Sequence, residues 1–183
     1  MNARFVRRAA MLVGLPFALV ASPAAADEIA VGYFAHGVGT PFTLDADEGG
    51  NDIQVNYRFD PLVALSPVGS PEPYLIGSLN LDGDTSFAGA GVAWKVPLGG
   101  SYLRPGIGLV VHDGPELKVN PETGERTDLG SRILFQPEVA IGVPLGPKLA
   151  VEGAWVHVSN AQIFDGDQNP GIDTFGVRAV YKF

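Results

Sequence analysis

The feature that most constrains this chain is an alternation of apolar and polar residues with a period of two. Residues i and i+2 share a face in a strand, whereas an amphipathic helix repeats about every 3.6 residues. Ile53, Val55 and Tyr57, for example, alternate with Gln54 and Asn56. The segments with this pattern are 29–34, 53–59, 74–81, 85–96, 103–112, 132–143, 148–160 and 172–183. The alternation therefore predicts an all-β chain of eight strands without a helix.

One face of these strands is apolar and the other is rich in ionisable and amide side chains. The polar face carries Arg58, Arg104, Arg132, Gln136, Glu138, Glu152 and Arg178. A soluble sandwich also alternates, but charge would be abundant on its outward face. An eight-stranded barrel has an interior that side chains just fill, so these groups could pair inside it. We therefore predict an eight-stranded antiparallel transmembrane β-barrel, since several strands reach the roughly 10 residues that cross a bilayer.

The connections support this fold because long and short ones alternate. With both termini on the periplasmic side, loops 38–50, 82–84, 113–129 and 161–170 are predicted to be external. Turns 60–71, 97–101 and 144–147 are predicted to be periplasmic. The chain ends on Phe183, and many outer-membrane barrels end on an aromatic residue.

The first 26 residues have the features of a secretory signal peptide. Arg4, Arg7 and Arg8 precede a short apolar run, and Ala24-Ala25-Ala26 fits a signal peptidase site. We predict a signal peptide over 1–26 and an outer-membrane barrel domain over 27–183. The expected location is the bacterial outer membrane.

Charge and composition exclude several classes of function. Three of the 12 Lys and Arg residues lie in the signal segment, which leaves nine against 20 Asp and Glu, a formal charge of −11. This balance argues against a nucleic-acid partner. Cysteine is absent, and no nucleotide or phosphate motif occurs. The segments 82–84 and 165–167, each Asp-Gly-Asp, are too short to be calcium loops, so we predict no metal and no cofactor.

Chemistry is concentrated near the end of the chain, in Trp155-Val156-His157-Val158-Ser159-Asn160. His157 and Ser159 continue the parity of Leu149 and Val151, so they should point to the apolar, lipid-facing side. A histidine beside a serine is a candidate general base beside a candidate nucleophile. The topology predicts that both lie near the external end of their strand, close to the outer leaflet.

A third residue could orient the histidine ring. Asp173 is near the start of the last strand and shares the parity of Phe175, so it should be a cross-strand neighbour of His157. Asp165 and Asp167, in the preceding loop, are alternatives. Asn160 is the candidate oxyanion donor through its side chain, with the backbone N–H groups just after it as alternatives.

These residues resemble a known family, the outer-membrane lipid A 3-O-deacylases (PagL-type acyloxyacyl hydrolases). The resemblance rests on His157-Val158-Ser159-Asn160-Ala161, and the signal peptide, the eight strands and Phe183 agree with it. It implies that His157 is the base, Ser159 the nucleophile and Asn160 the oxyanion residue of a serine esterase. The implied reaction is hydrolysis of the 3-position acyl ester of lipid A in lipopolysaccharide. The acid of that family is usually glutamate, whereas this chain has Asp173, which is one methylene shorter.

Other interpretations of the same residues are open at this point. The protein could be a non-catalytic structural or adhesive barrel, in which the polar pair and Trp155 mark the headgroup boundary. It could also be an outer-membrane phospholipase or esterase that acts on glycerophospholipids. The Arg and Glu set is interpreted as lumen packing, and His36 and His112 as rim or loop residues. The expected partners are lipopolysaccharide and outer-membrane lipids, and the choice between a monomer and a homodimer stays open.

Overall fold

The computed structural model describes residues 28–43, 48–114, 129–161, 163 and 170–183. The predicted signal peptide and the alternative acids Asp165 and Asp167 lie outside these ranges. The strands are β1 (Glu28–Ala35), β2 (Asn51–Arg58), β3 (Glu72–Asn80), β4 (Phe87–Ala93), β5 (Val96–Leu98), β6 (Ser101–His112), β7 (Ile133–Pro144), β8 (Leu149–Val158) and β9 (Ile172–Lys182).

These strands form a closed eight-stranded antiparallel barrel, as the alternation predicts. Neighbours follow the order β4-β3-β2-β1-β9-β8-β7-β6-β5, and β4 also pairs with β6, which closes the sheet. The short β5 continues the wall from β4 along β6, so β4 and β5 together make the fourth of the eight wall strands. Closure leaves no long free edge, which protects the wall from pairing with other chains.

The chain departs from simple strands at two periplasmic positions. The predicted fourth strand is interrupted at Trp94, although the Trp94 N–H still donates to the Pro105 carbonyl at 2.9 Å. The proline-rich stretch after β2 contains a 3-10 helix, Val63–Val68. The Trp94 indole N–H donates to the Val68 carbonyl at 2.8 Å, so this helix is attached to the break in the wall. The sequence pattern did not predict this helical turn.

The lumen is filled by ion pairs between buried arginines and glutamates. Arg58 donates two hydrogen bonds to the Glu152 carboxylate, at 2.8 and 2.7 Å, and Arg178 donates a third at 2.6 Å. Arg104 bonds Glu138 at 2.5 Å. A buried charge is strongly destabilising unless it is paired, so this mutual neutralisation is what allows charge in the barrel interior.

The prediction that Arg132 lies in the lumen is wrong. It is exposed and precedes β7 at the external rim, where its guanidinium donates to the His112 carbonyl at 3.1 Å. The predicted segment 132–143 starts one residue before β7 begins, and the parity rule holds only within a strand.

The outward face is apolar along the wall. Its exposed side chains include Val31, Tyr33, Val55, Leu109, Ile141, Val151 and Val177. An outward apolar band around a charged interior is the arrangement of a transmembrane barrel. Among the described residues, no helix is long and apolar enough to cross a membrane.

Candidate active site

His157 and Ser159 both have the outward parity of β8. Along this strand Glu152, Ala154 and Val156 are buried in the lumen, while the residues between them face out. Ser159 extends the pairing one bridge beyond the strand, opposite Phe135 at the start of β7. The two side chains are therefore neighbours on one face, with Cα atoms about 6.8 Å apart at the usual strand rise.

The register of β8 and β9 pairs His157 directly with Asp173. The His157 Nδ1 and Asp173 Oδ1 atoms are 2.7 Å apart, and the carboxylate is fully buried. Because a carboxylate can only accept, Nδ1 carries the hydrogen of this bond. In a neutral His157 ring the lone pair is then on Nε2. This is the tautomer that a general base needs, because Nε2 can accept a proton.

Two further donors hold the Asp173 carboxylate. The Trp155 indole N–H donates to Oδ1 at 2.7 Å, and the Thr40 hydroxyl donates to Oδ2. The backbone N–H of Val38 also donates to the Asp173 carbonyl, at 3.0 Å. Thr40 and Val38 belong to the first external loop, so this loop is attached to the carboxylate that positions His157.

The segments around the site also change its predicted environment. His157 and Ser159 face outward as predicted, yet they are only 9% and 6% exposed, so most of their surface is covered by neighbouring residues. Gly171 packs against the His157 ring, because a Cβ at that position would lie 2.8 Å from the ring Cε1 atom. Its φ of 67° also favours glycine. The site is thus a covered pocket on the outer wall, which strand parity alone did not predict.

The backbone of Ser159 is fully used by the sheet. Its N–H donates to the Phe135 carbonyl at 3.0 Å, and its carbonyl accepts from the Phe135 N–H at 2.7 Å. Among the described residues, no hydrogen bond joins the Ser159 hydroxyl to the His157 ring. Catalytic hydrogen bonds in unliganded enzymes are often long and shorten when substrate binds. Because the sheet occupies the Ser159 N–H, this group is not available as an oxyanion donor.

Asn160 is fully buried directly after Ser159. Its side-chain amide donates to the Leu129 carbonyl at 3.1 Å, which connects the end of β8 to the loop before β7. Ala161 then turns the chain sharply, with a φ of 54° that is uncommon outside glycine. The oxyanion role of Asn160 stays a prediction, with the following backbone N–H groups as the alternative.

Thr40 offers a test of how the first loop contributes to the site. Thr40→Val keeps the shape of the side chain and removes the donor, so kcat is expected to fall about tenfold or more, since hydrogen bonds to charged groups contribute about 1.5–3 kcal/mol. KM should change little. Thr40→Ser keeps the hydroxyl and should restore most of kcat. The measurement is kcat on an ester substrate. Equal kcat values for the Val and Ser variants would show that the Thr40 hydroxyl does not support Asp173.

The other two histidines lie at the external mouth of the barrel, away from this site. His36 Nδ1 contacts the Asp52 carboxylate at 2.9 Å, and Nε2 contacts Glu48 at 3.0 Å. Burial opposes protonation of His36, but the two carboxylates outweigh it and raise its pKa to about 9. His112 Nε2 lies 2.6 Å from the Ser131 carbonyl. These contacts join external loops, as the prediction of rim positions implied.

The raised pKa of His36 predicts a pH-dependent stability. Protonated His36 stabilises the fold fully below its unfolded pKa of about 6.5, and this contribution is lost as the pH rises through about 9. The unfolding temperature of the refolded barrel in detergent should therefore fall between neutral pH and above about 9. His36→Gln should start lower and show a shallower fall over the same range. Parallel pH curves for the two proteins would contradict this role.

The trio of site residues shares parity in the sequence, but its supports do not. Thr40 is 133 positions from Asp173 and lies in a loop without periodicity. The non-catalytic interpretation places Trp155 at the headgroup boundary, and no interpretation of the sequence predicts its bond to Asp173. Gly171, immediately before β9, is a local sequence feature that could have indicated a close approach, but strand parity makes no use of it.

Comparison with known proteins gives a family match and a fold match. A family model described as "Lipid A 3-O-deacylase (PagL)" matches residues 71–182, more than half of the chain, and this range includes His157, Ser159 and Asp173. A search of the curated proteins finds no match.

Two solved structures illustrate the fold match. The crystal structure of the outer membrane enzyme PagL has a TM-score of 0.59 at 13% identity, and the match covers 84% of this chain and 98% of that one. Neisserial surface protein A (NspA) has a TM-score of 0.55 at 8% identity, covering 87% and 99%. At these identities the structural matches show the barrel fold alone.

Proposed function

The chain belongs to the lipid A 3-O-deacylase (PagL) family and is a protein of the bacterial outer membrane, and on that premise we propose that it hydrolyses the 3-position acyl ester of lipid A. The observation that supports this most is the 2.7 Å bond between His157 and Asp173, on the same outer face as Ser159. This geometry supports a serine esterase whose substrate arrives from the membrane.

The proposed reaction begins with attack of the Ser159 hydroxyl oxygen on the acyl carbonyl carbon. His157 Nε2 accepts the hydroxyl proton, and Asp173 stabilises the resulting imidazolium through Nδ1. Asn160, or a backbone N–H just after it, donates to the oxyanion of the tetrahedral intermediate. Collapse of this intermediate breaks the ester bond, and His157 gives its proton to the departing sugar hydroxyl.

The acyl-enzyme formed in this way is then hydrolysed. His157 accepts a proton from water, the water oxygen attacks the acyl carbonyl, and Ser159 leaves with the proton that His157 returns. The products are a free fatty acid and lipid A with one ester removed. No cofactor takes part in this proposal.

The outward direction of the site favours a membrane substrate over the non-catalytic interpretation. An eight-stranded lumen is filled with side chains, here with the Arg and Glu pairs, so it has no room for an acyl chain. A site on the outer wall can be reached by lateral diffusion within the leaflet.

The substrate class is tested with purified protein. The refolded barrel is incubated separately with lipid A and with a diacyl glycerophospholipid in mixed micelles, and released fatty acid is measured by mass spectrometry. Release from lipid A with little release from the phospholipid is expected. Faster release from the phospholipid would favour the phospholipase alternative, and release from neither would favour the non-catalytic barrel.

A further inference from the structure

The first external loop connects β1 to β2, and one side chain joins its two ends. His36 directly follows β1, and its backbone N–H donates to the Gly50 carbonyl at 2.9 Å. Its ring contacts the Glu48 carboxylate through Nε2 at 3.0 Å and the Asp52 carboxylate through Nδ1 at 2.9 Å. The His36 side chain is fully buried and that of Glu48 is 6% exposed. This contact is therefore shielded from water, unlike the surface ion pairs that contribute little.

The outgoing and returning limbs of the loop meet beside this contact. Gly37 has a φ of 64°, which favours glycine. A Cβ at Gly37 would overlap the backbone carbonyl of Glu48, so no side chain can separate the two limbs at this point. Little slack is therefore left between Glu48 and the residues that follow His36.

The outgoing limb reaches the proposed active site within four residues of His36. The Thr40 hydroxyl oxygen accepts from the Phe42 N–H at 3.0 Å, and its hydrogen is donated to the Asp173 carboxylate. The Val38 N–H donates to the Asp173 carbonyl at 3.0 Å. A hydrogen bond weakens steeply as its angle departs from linearity, so donation by Thr40 depends on where the loop holds its backbone.

The returning limb is attached to a separate part of the rim through Glu48. The Glu48 carboxylate accepts from the Thr85 N–H at 2.9 Å and from the Thr85 hydroxyl at 2.6 Å. Thr85 belongs to the second external loop, between β3 and β4. His36 thus connects the limb that is fixed to the second loop with the limb that reaches the site.

We propose that His36 and Glu48 are positioning residues for the proposed reaction, because their contact holds the first external loop where Thr40 donates to Asp173. This inference rests on the proposed function, since Asp173 affects kcat only if it orients His157 as a base. Neither His36 nor Glu48 touches the reacting atoms, and both act through Thr40. Loss of their contact should therefore lower kcat by no more than loss of the Thr40 hydroxyl does.

Glu48→Ala tests the proposal, and Asp113→Ala is its matched control. Asp113 is also a rim carboxylate and accepts from the Ser86 N–H at 2.7 Å, so it joins the second external loop to the end of β6. His36→Gln removes the ring that spans the two carboxylates, so the result does not depend on the folding of one variant. Each protein is refolded and checked for heat-modifiable migration. Fatty acid released from lipid A in mixed micelles then gives kcat and KM, with and without Thr40→Val.

Glu48→Ala and His36→Gln should each lower kcat about threefold to tenfold, with a smaller change in KM. Asp113→Ala should keep the wild-type kcat. Added to Thr40→Val, Glu48→Ala should lower kcat by less than about twofold further, because changes that act through one contact are not additive. A contribution to folding alone would lower the activity by the same factor in both backgrounds.

Three results would overturn the positioning role while the esterase stands. They are a wild-type kcat in both Glu48→Ala and His36→Gln, an equal loss with and without the Thr40 hydroxyl, or the same loss in Asp113→Ala. A wild-type protein that releases no fatty acid from lipid A would overturn the proposed function together with this inference.

Discussion

Ser159→Ala is expected to abolish deacylation, with a loss of at least about 10³-fold in kcat. The variant removes the proposed nucleophile and leaves the pairing of residue 159 with Phe135, which uses only backbone atoms. The barrel should therefore fold normally. Among the described residues, no other hydroxyl shares the outer face with His157 at this spacing, so none can replace it.

The control for Ser159→Ala is Val158→Ala. Val158 is adjacent in sequence but is buried on the lumen side, at 1% exposure. It should keep much of the activity, although a core truncation of this kind lowers stability. Release of acyl chains by Ser159→Ala at a rate near that of the wild type would exclude Ser159 as the nucleophile.

Asp173→Asn is expected to lower kcat by about 10²–10⁴-fold, with the larger value being that of the corresponding change in a serine protease. The amide can present an N–H to His157 Nδ1, which favours the tautomer that has its hydrogen on Nε2 and cannot accept the serine proton. The hydrogen bonds from Trp155 and Thr40 would be disturbed at the same time. The measurement is kcat on an ester substrate, with circular dichroism to confirm that the barrel stays folded.

Asp165→Asn and Asp167→Asn are the matched controls for the acid. Both residues belong to the loop between β8 and β9. The sequence offers each of them as an alternative to Asp173 for orienting the His157 ring. We expect both variants to keep near-native activity. If Asp173→Asn retains activity and one of the loop variants loses it, the acid has been placed wrongly.

The strand register shows how an aspartate can reach His157, although the family resemblance implies a glutamate for this role. Asp173 is directly opposite His157 in the register, where paired Cα atoms lie about 4.5–5.5 Å apart. Over so short a span the aspartate side chain reaches Nδ1 at 2.7 Å without the additional methylene. The shorter side chain is therefore compatible with an orienting role.

Periodicity predicted the parts of this molecule that repeat along a strand. It predicted the closed barrel, the charged lumen at Glu138 and Glu152, and the shared outward parity of His157, Ser159 and Asp173. Strand parity is local, because it follows from the alternation of neighbouring side chains. The catalytic roles of these residues stay predictions, which the variants described above test.

Periodicity failed where the fold depends on contacts between distant loops. The first external loop has no repeating pattern, so nothing in the sequence predicted that Thr40 would bond Asp173 or that Phe42 would lie over Trp155. As a result, the predicted lipid-exposed site is a covered one. The error at Arg132 has a related cause, because alternation does not show where a strand begins.

The central claim is that this barrel removes an ester-linked acyl chain from lipid A through Ser159, and mass spectrometry of lipid A tests it most directly. Lipid A is isolated from cells that produce the wild-type protein, from cells that produce Ser159→Ala at equal abundance in the outer membrane, and from cells with neither. A lipid A species lighter by one 3-position acyl chain is expected in the wild-type sample alone. Identical lipid A in all three samples, or the lighter species in the Ser159→Ala sample, would contradict it.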